Sequence, residues 1–498
     1  MTRSAADIGR GLLPPRAARP IQLGERLHVV GAAGAGASAA ALLALAAGAV
    51  VSGCDAGGPS PYSAAVEAAG IEMTWSHDAG HVYDGATKVA DRLAVTKALT
   101  AITPDHPELL AARAHGVPVE PWQQVIADAA AGQGGRLVAV AGTHGKSTSA
   151  GWLVHVLAAA GRDPAAFVGA LLPAALTGGQ ASTARRGRGD TFVVEADEYA
   201  GNFDAYRPVV ALLLNAEWDH PDVFADADSV LDAFETWLRT PGAEARTLVA
   251  NVADAGVARL LRRMAGWPGR IVRVGLDGPP QADVTGQLTA DGVLTMSGLP
   301  GAGDQGPWHS RLKLPGRHNA ANALCVAATG AVLGVAADDI ASGLASFPGV
   351  GRRLEAKGEP RGVLVLDDYG HHPSAIAATF VAVRERYPGR RLWAVYEPLT
   401  FHRTAAMFDA FAAVLATADR AVIADIWAGR DADTSLTSAS ALAAAISTRA
   451  TTPAAAPGSA EATADYLAPR VASGDVVLVM GGGRSYVIAE RLVALLGG

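Results

Sequence analysis

Short apolar runs recur along the chain, each ending in a glycine-rich or acidic turn and followed by a stretch with helical spacing. Residues 27–30 form the first run; a glycine turn, an Ala/Leu-rich helix and a second strand from about residue 49 follow. Residues 137–141 form another, leading into a helix with Trp152, Leu153, Val156, Leu157 and Ala160 three and four apart and Gly161 as its stop. Residues 191–194 and 209–214 are further apolar strands. Residues 275–314 alternate apolar and polar positions among many Gly and Pro, which predicts short antiparallel strands or a β-meander. A helix bearing Leu324, Ala328, Ala331 and Val332 comes next. Beyond it, 363–366, 392–396, 421–425 and 476–480 alternate with helical stretches, the rhythm of a parallel sheet. The pattern predicts an α/β chain.

At 498 residues, and with roughly 150 per domain, about three domains are expected. Residues 1–24 contain Arg, Pro and Gly without the apolar core of a signal peptide and are read as a disordered tail. The domains are then 25–134, 135–346 and 347–498. A small-residue stretch with Gly132, Gly134 and Gly135 marks a hinge between the first two, and the Ala/Thr/Pro-rich residues 448–463 read as an exposed connector. The uncharged stretch 29–51 is long enough to span a membrane, but Gly31, Gly34, Gly36 and Gly48 punctuate it as a strand–turn–helix unit. The net charge of -7 offers no electrostatic footprint for nucleic acid. Cys54 and Cys325 make neither a disulfide framework nor a cysteine-rich metal site. Both are expected to be small packing residues, and a reducing cytoplasm fits.

The chemistry sits where strands end. Gly142-Thr143-His144-Gly145-Lys146-Ser147-Thr148 joins a strand to a helix, so backbone N–H groups converge on phosphate at a helix N-terminus. Lys146 is placed to reach β/γ-phosphates and the Ser147 hydroxyl to join a Mg²⁺ shell. Val140 stands where the common phosphate-loop pattern has glycine. Glu195-Ala196-Asp197-Glu198 and Asn215-Ala216-Glu217-Trp218-Asp219-His220 end two strands, where open α/β sheets bind ligands and a carboxylate can hold Mg²⁺; solvated strand ends are the plainer reading. Gly34-Ala35-Gly36, Ser38 and Asp55 follow the Rossmann pattern, for which a nicotinamide cofactor, a sugar-nucleotide diphosphate and a ligand-free turn are all open. His77-Asp78 reads by default as a surface loop. His318-Asn319 begins a helix, with Asn319 its N-cap or, with its paired donor and acceptor, a contact to an adenine edge. In the last domain, Asp368 and His371-His372 end one strand and Glu397-Pro398-Leu399-Thr400-Phe401-His402-Arg403-Thr404 another. A transition-metal site at His371-His372 lacks a third spaced ligand. Gly481-Gly482-Gly483-Arg484 forms a backbone concavity able to hold an anion.

Together these motifs resemble the Mur ligases of peptidoglycan synthesis, from about Leu27 to the C-terminus. Gly-Thr-His-Gly-Lys-Ser, Glu-Ala-Asp-Glu, Asn-x-Glu-x-Asp-His, Gly-Arg-His-Asn-x-x-Asn, Gly-Val-Gly-Arg-Arg and Asp-Asp-Tyr-Gly-His-His-Pro occur in family order. The resemblance implies a Rossmann-like domain for a UDP-sugar, a central phosphate-loop ATPase domain and a C-terminal Rossmann-like domain that closes over ATP and brings an amino acid. It implies an ATP-dependent ligase that joins L-alanine to UDP-N-acetylmuramate through an acyl phosphate, with ATP and Mg²⁺ required. Another amine, a recycled murein peptide, or a non-catalytic nucleotide-binding descendant are the alternatives. Small-molecule substrates, no nucleic acid, no membrane insertion and a monomer or weak homodimer are expected.

The roles the resemblance implies are specific. Lys146, Glu195 and His220 are catalytic; Ser147 and Glu195 hold one Mg²⁺ and His220 belongs with a second. Gly142 to Thr148, His318, Asn319, Asn322, Arg353 and Asp368 face ATP. Gly34, Ala35, Gly36, Ser38, Asp55 and His77 face the UDP-sugar; His372, His402 and Arg403 face the amino acid. The chain departs from the family at Ala33 and Ala37 in the first turn and at Leu399, where the family has His; His402 lies three residues on.

Overall fold

A computed structural model describes residues 2–497 apart from positions 86, 104, 304, 430 and 432. It contains two compact units. The first takes in the chain to Trp218 with Val223–Lys313 and Ala320–Val350; the second takes Asp219–Asp222, Leu314–Asn319 and the chain from Gly351 on.

Besides a two-stranded ribbon of Tyr83–Asp84 with Thr87–Lys88, the first unit carries two large sheets. One has five strands in the order Glu72–Thr74, Val50–Cys54, Arg26–Val30, Arg92–Val95, Val119–Pro121, all neighbours parallel. The other has ten, ordered Ser182–Arg185, Ala165–Leu172, Thr191–Ala196, Arg136–Ala141, Val210–Leu213, Thr247–Asn251, Arg270–Leu276, Val284–Leu288, Val293–Ser297, Trp308–Arg311. Its first pair and its last two pairings are antiparallel; those between are parallel. Val138 to Ala141 are fully buried, as expected of a central parallel strand covered on both faces. The expected meander is present over 284–311, where it continues the edge of the central sheet.

The two sheets are joined by packing of small residues. Helix Ala35–Ala46 runs against helix Trp122–Gln133 and the strand Ser182–Arg185. A Cβ on Gly36 would lie 2.3 Å from the Trp122 ring, so only glycine permits this approach. Residues 129–133, read as hinge, are instead the end of helix Trp122–Gln133, capped by Gly134 in the left-handed region. The segment before Arg26, read as disordered, is tied down. Ile8 is buried, and Arg16 pairs with Glu120 at 2.7 Å and Asp128 at 2.7 Å. Its basic residues found buried carboxylates, a pairing that composition alone does not reveal.

The second unit is built on a six-stranded sheet: Glu355–Gly358, Leu364–Asp368, Asp475–Gly481, Arg391–Glu397, Arg420–Ala424, Ala455–Gly458. The first pair is antiparallel and the rest parallel. The expected connector over 448–463 is largely structure: Ala455–Gly458 is the edge strand and Ala460–Leu467 a helix capped by Ser459. An edge strand needs ladder bonds on one side only, which is why a run containing Pro457 is accepted there. No helix among the described residues is long and apolar enough to cross a membrane.

Candidate active site

Strand Arg136–Ala141 delivers the glycine loop, and helix Lys146–Ala159 begins directly after it. Gly145 caps that helix with φ 79°, and a Cβ there would lie 2.9 Å from the Asn322 amide. Glycine is therefore required twice over, by conformation and by the approach of Asn322. The loop is stitched to the neighbouring strand end. Thr143 Oγ1 accepts from Glu217 N at 2.9 Å, His144 N donates to Asn215 Oδ1 at 2.8 Å, and Asn215 Nδ2 returns to His144 O at 3.0 Å.

Lys146 is the charge at the centre. Its Nζ lies 2.9 Å from Glu198 Oε2 and 3.2 Å from Asp197 Oδ1. Burial pushes the ammonium down, but Glu198 and then Asp197 outweigh that and hold it above its ordinary value. Burial pushes the Glu198 carboxyl up, against the attraction of Lys146. Glu195 lies on strand Thr191–Ala196, just before Asp197 and Glu198: its Oε1 accepts from Ser147 Oγ at 3.1 Å and its Oε2 from Gly169 N at 2.6 Å. A hydroxyl and a carboxylate beside an anion-binding loop form the all-oxygen donor set that suits Mg²⁺. Thr148 is buried one position further along the helix.

The second unit holds its own charged centre. Arg403 is buried; its Nε donates to Asp219 Oδ1 at 2.7 Å and its Nη2 lies 3.1 Å from His220 Nδ1. His220 adopts φ 54°. Burial pushes the Asp219 carboxyl up, but Arg403 first, then His220 and His371, hold it well below the usual carboxylate range. His371 Nε2 lies 3.6 Å from Asp219 Oδ2. Burial and then the Arg403 charge push His371 down to about 4, against Asp219. Arg403 Nη1 is buried with no hydrogen-bond partner among the described residues.

Several expected residues make contacts within the protein. His402 leaves the Arg403 group and turns to Asp431, 3.2 Å from Nδ1 to Oδ1. His372 caps helix Pro373–Arg386, its Nδ1 accepting from Ser374 N at 3.3 Å. Asp368 accepts backbone N–H groups from Leu354 at 2.9 Å and Gly370 at 2.7 Å, so it anchors the loop carrying Arg353. Arg353 lies over the Tyr369 ring at 4.8 Å. Its neighbour Arg352, which carried no expectation, is a buried strut donating to Gly481 O at 2.8 Å and Ser485 Oγ at 2.7 Å. Asn319 is not the N-cap: the helix begins at Arg317, and the Asn319 amide donates back to Pro315 O at 2.7 Å. His318 is half-buried, and loss of solvent around its ring lowers its pKa against the pull of Asp368. The glycine concavity at 481–483 already has an anion, because Glu397 accepts from Arg484 N at 3.0 Å and Ser485 N at 2.8 Å.

At the first turn, Gly34 caps helix Ala35–Ala46, leaving that N-terminus as an anion site. Asp55 accepts from Ala33 N at 3.1 Å and Gly57 N at 2.9 Å and so braces the turn. Ser38 is buried, donating to Ala35 O at 2.9 Å with Thr183 Oγ1 3.0 Å away. Gly36 likewise serves helix packing. His77 is no surface loop residue, lying 3.3 Å from Cys54 Sγ and 3.5 Å from Glu108 Oε2. Cys54, expected to be apolar packing, therefore sits among imidazoles; Cys325 is buried as expected.

Three family models match the chain: "Mur ligase family, catalytic domain" over residues 26–133, "Mur ligase middle domain" over 140–330, and "Mur ligase, glutamate ligase domain" over 352–483. The UDP-N-acetylmuramate–L-alanine ligase of Frankia casuarinae is 37% identical over 82% of this chain and 84% of its own length. That of Kineococcus radiotolerans is 37% identical over 95% and 96%. Among solved structures, the UDP-N-acetylmuramate–alanine ligase of Thermotoga maritima superposes with TM-score 0.75 at 23% identity, over 94% of this chain and 98% of that one. A murein peptide ligase from Psychrobacter arcticus superposes with TM-score 0.72 at 25% identity, over 95% and 99%.

Proposed function

Because the chain belongs to the Mur ligase family, we propose that it joins L-alanine to the muramoyl carboxylate of UDP-N-acetylmuramate at the expense of ATP. The observation that carries this is the largely enclosed Lys146, held at the helix N-terminus after the glycine loop against Glu198, with Ser147 bonded to Glu195 next to it. The muramoyl carboxylate attacks the γ-phosphorus, the bond to the bridging oxygen breaks, and ADP leaves. The amine of alanine then attacks the acyl carbon, loses a proton, and phosphate departs. A carboxylate is a poor acylating agent, and ATP supplies the leaving group. Both steps build negative charge, which preorganised cations stabilise.

Residues 25–134 take the UDP-sugar, 135–346 take ATP and 347–498 take the amine. Lys146 binds the β/γ-phosphates, with the N–H groups of Gly142 to Thr148 around them. Ser147 and Glu195 would hold one Mg²⁺, and His220 would stand with a second; bound there, the ions neutralise charge on phosphate oxygens. Asn322 and Asn319 serve the adenine side, with His318, Arg353 and Asp368 supporting the nucleotide. Gly34 and Ala35 present N–H groups to the pyrophosphate, with Asp55 and His77 toward the nucleoside. Arg403 receives the alanine carboxylate, its unpartnered buried Nη1 supporting this assignment. We place the reaction in the cytoplasm.

The test is phosphate release from purified protein with ATP, Mg²⁺, UDP-N-acetylmuramate and one amine at a time. L-Alanine is expected to turn over fastest, and Lys146→Ala to lower the rate by about a hundredfold or more. Turnover with a murein tripeptide but not with alanine would transfer the chain to the peptide-recycling branch. Full activity in Lys146→Ala would overturn the mechanism.

A further inference from the structure

The Rossmann domain contains a group of side chains that ligation of alanine does not use. Strand Arg26–Val30 contributes His28, strand Val50–Cys54 ends in Cys54, a short turn over Ala79–His81 presents His81, and helix Pro107–Ala114 contributes Glu108 from its first turn. Four separate elements thus send one donor each to a single point. One ligand atom from each lies within 4.8 Å of all the others. Glu108 Oε1 is 2.6 Å from His81 Nδ1, 3.0 Å from Cys54 Sγ and 3.7 Å from His28 Nε2, and His28 Nε2 is 3.2 Å from Cys54 Sγ. With Zn–N near 2.0 Å and Zn–S near 2.3 Å, a tetrahedral site has donor–donor edges of roughly 3.3 to 3.7 Å. The 3.2 and 3.7 Å separations lie at those edges, and the 2.6 and 3.0 Å contacts to Glu108 Oε1 have to lengthen by a few tenths of an ångström or more as an ion enters.

Two further observations separate this group from an ordinary polar network. First, each inward imidazole has its other nitrogen on a hydroxyl: His28 Nδ1 is 2.9 Å from Ser52 Oγ and His81 Nε2 is 3.3 Å from Thr74 Oγ1. That outer partnering orients metal-bound histidines, fixing which nitrogen faces the ion. Second, polar accounting does not close. Glu108 Oε2 and both ring nitrogens of His106 are buried without a hydrogen-bond partner among the described residues. His106 Nδ1 lies 3.4 Å from Glu108 Oε2 and the His77 ring packs edge-on at 4.3 Å. Buried polar atoms left unpaired are uncommon, and these lie directly beside the four donors. His28 and Glu108 are buried, whereas His81 keeps 19% of its side chain exposed, so an ion has a way in.

We propose that His28 Nε2, Cys54 Sγ, His81 Nδ1 and Glu108 Oε1 bind one divalent transition-metal ion of the zinc class. Binding displaces the Cys54 thiol proton to solvent, and the thiolate, two neutral imidazoles and a carboxylate complete a four-coordinate shell. With all four positions filled by protein, the ion is structural. It ties the 77–81 segment and helix Pro107–Ala114 to two neighbouring parallel strands. Magnesium is excluded by the sulfur and nitrogen donors, which suit softer ions.

The test uses the untagged full-length protein with excess Mg²⁺ present, loaded with Zn²⁺ or Co²⁺ and desalted. Elemental analysis is expected to return one ion per chain. The cobalt protein is expected to show a thiolate-to-cobalt charge-transfer band with tetrahedral ligand-field absorption, which the cysteine-free phosphate loop cannot produce. Cys54→Ser and His81→Asn are expected to abolish the band or weaken cobalt binding at least tenfold, and Cys325→Ser to retain both. Circular dichroism checks that each variant is folded, and the wild-type cobalt spectrum needs no variant. A cobalt protein without the thiolate band, or Cys54→Ser binding as tightly as wild type, would overturn the site. These readouts are independent of ligase activity.

Discussion

Arg403 and Asp219 are 1% and 2% exposed, and each is the other's principal counter-charge. Removing one member of such a pair strands a buried charge, at a cost of about 3 to 5 kcal/mol. Arg403→Ala is therefore expected to lower thermal and urea stability by that order, and adding Asp219→Asn to recover part of it, read as a double-mutant cycle. Arg403→Lys keeps a charge but loses the planar fork; its KM for the amine is expected to rise about tenfold or more. His371, held down to about 4 against an ordinary 6.5, adds a pH dependence. Between those values the unfolded chain binds the proton and the folded chain does not, so stability falls as pH drops from about 6.5 to about 4. His371→Gln is expected to flatten that slope in melting curves taken across the window. The sequence made Arg403 legible as a cation. It did not make Asp219 legible as its partner, because that pairing depends on a contact between residues far apart in the chain. For the same reason His402 was read beside Arg403, whereas its ring turns to Asp431.

Elements were more legible where chemistry is local. The strand–glycine loop–helix at 136–159 follows from spacing alone, since its glycines and its apolar stripe are neighbours in the chain. The glycine run at 481–483 was read correctly as a concavity, but its occupant is Glu397, supplied by the adjacent parallel strand. Glu397→Ala leaves two N–H groups without their acceptor and is expected to cost about 1 to 3 kcal/mol. Sulfate is expected to raise the melting temperature of that variant more than that of wild type, by filling the vacated helix N-terminus. Gly36 illustrates the opposite limit. Its place in a Rossmann pattern suggested phosphate, and its close neighbour is the Trp122 ring. Gly36→Ala is expected to destabilise by about 1 to 3 kcal/mol, seen as a lower melting temperature.

At the scale of the molecule, three sheets match three family segments, and this order was readable because each segment carries its own motif. The histidine–cysteine–glutamate group was not readable, because its members come from four elements and no two form a recognisable spacing. The phosphate loop carries one more consequence. Glu198 and Asp197 already occupy Lys146, so an incoming polyphosphate does not meet a vacant cation; it must win an exchange against two resident anions. A neighbouring strand end thus supplies the loop's competitor, and the loop's affinity is a difference between two attractions. Glu198→Gln is expected to tighten ADP binding in calorimetry by weakening the incumbent. Unchanged affinity would mean that the lysine leaves its carboxylates at no cost.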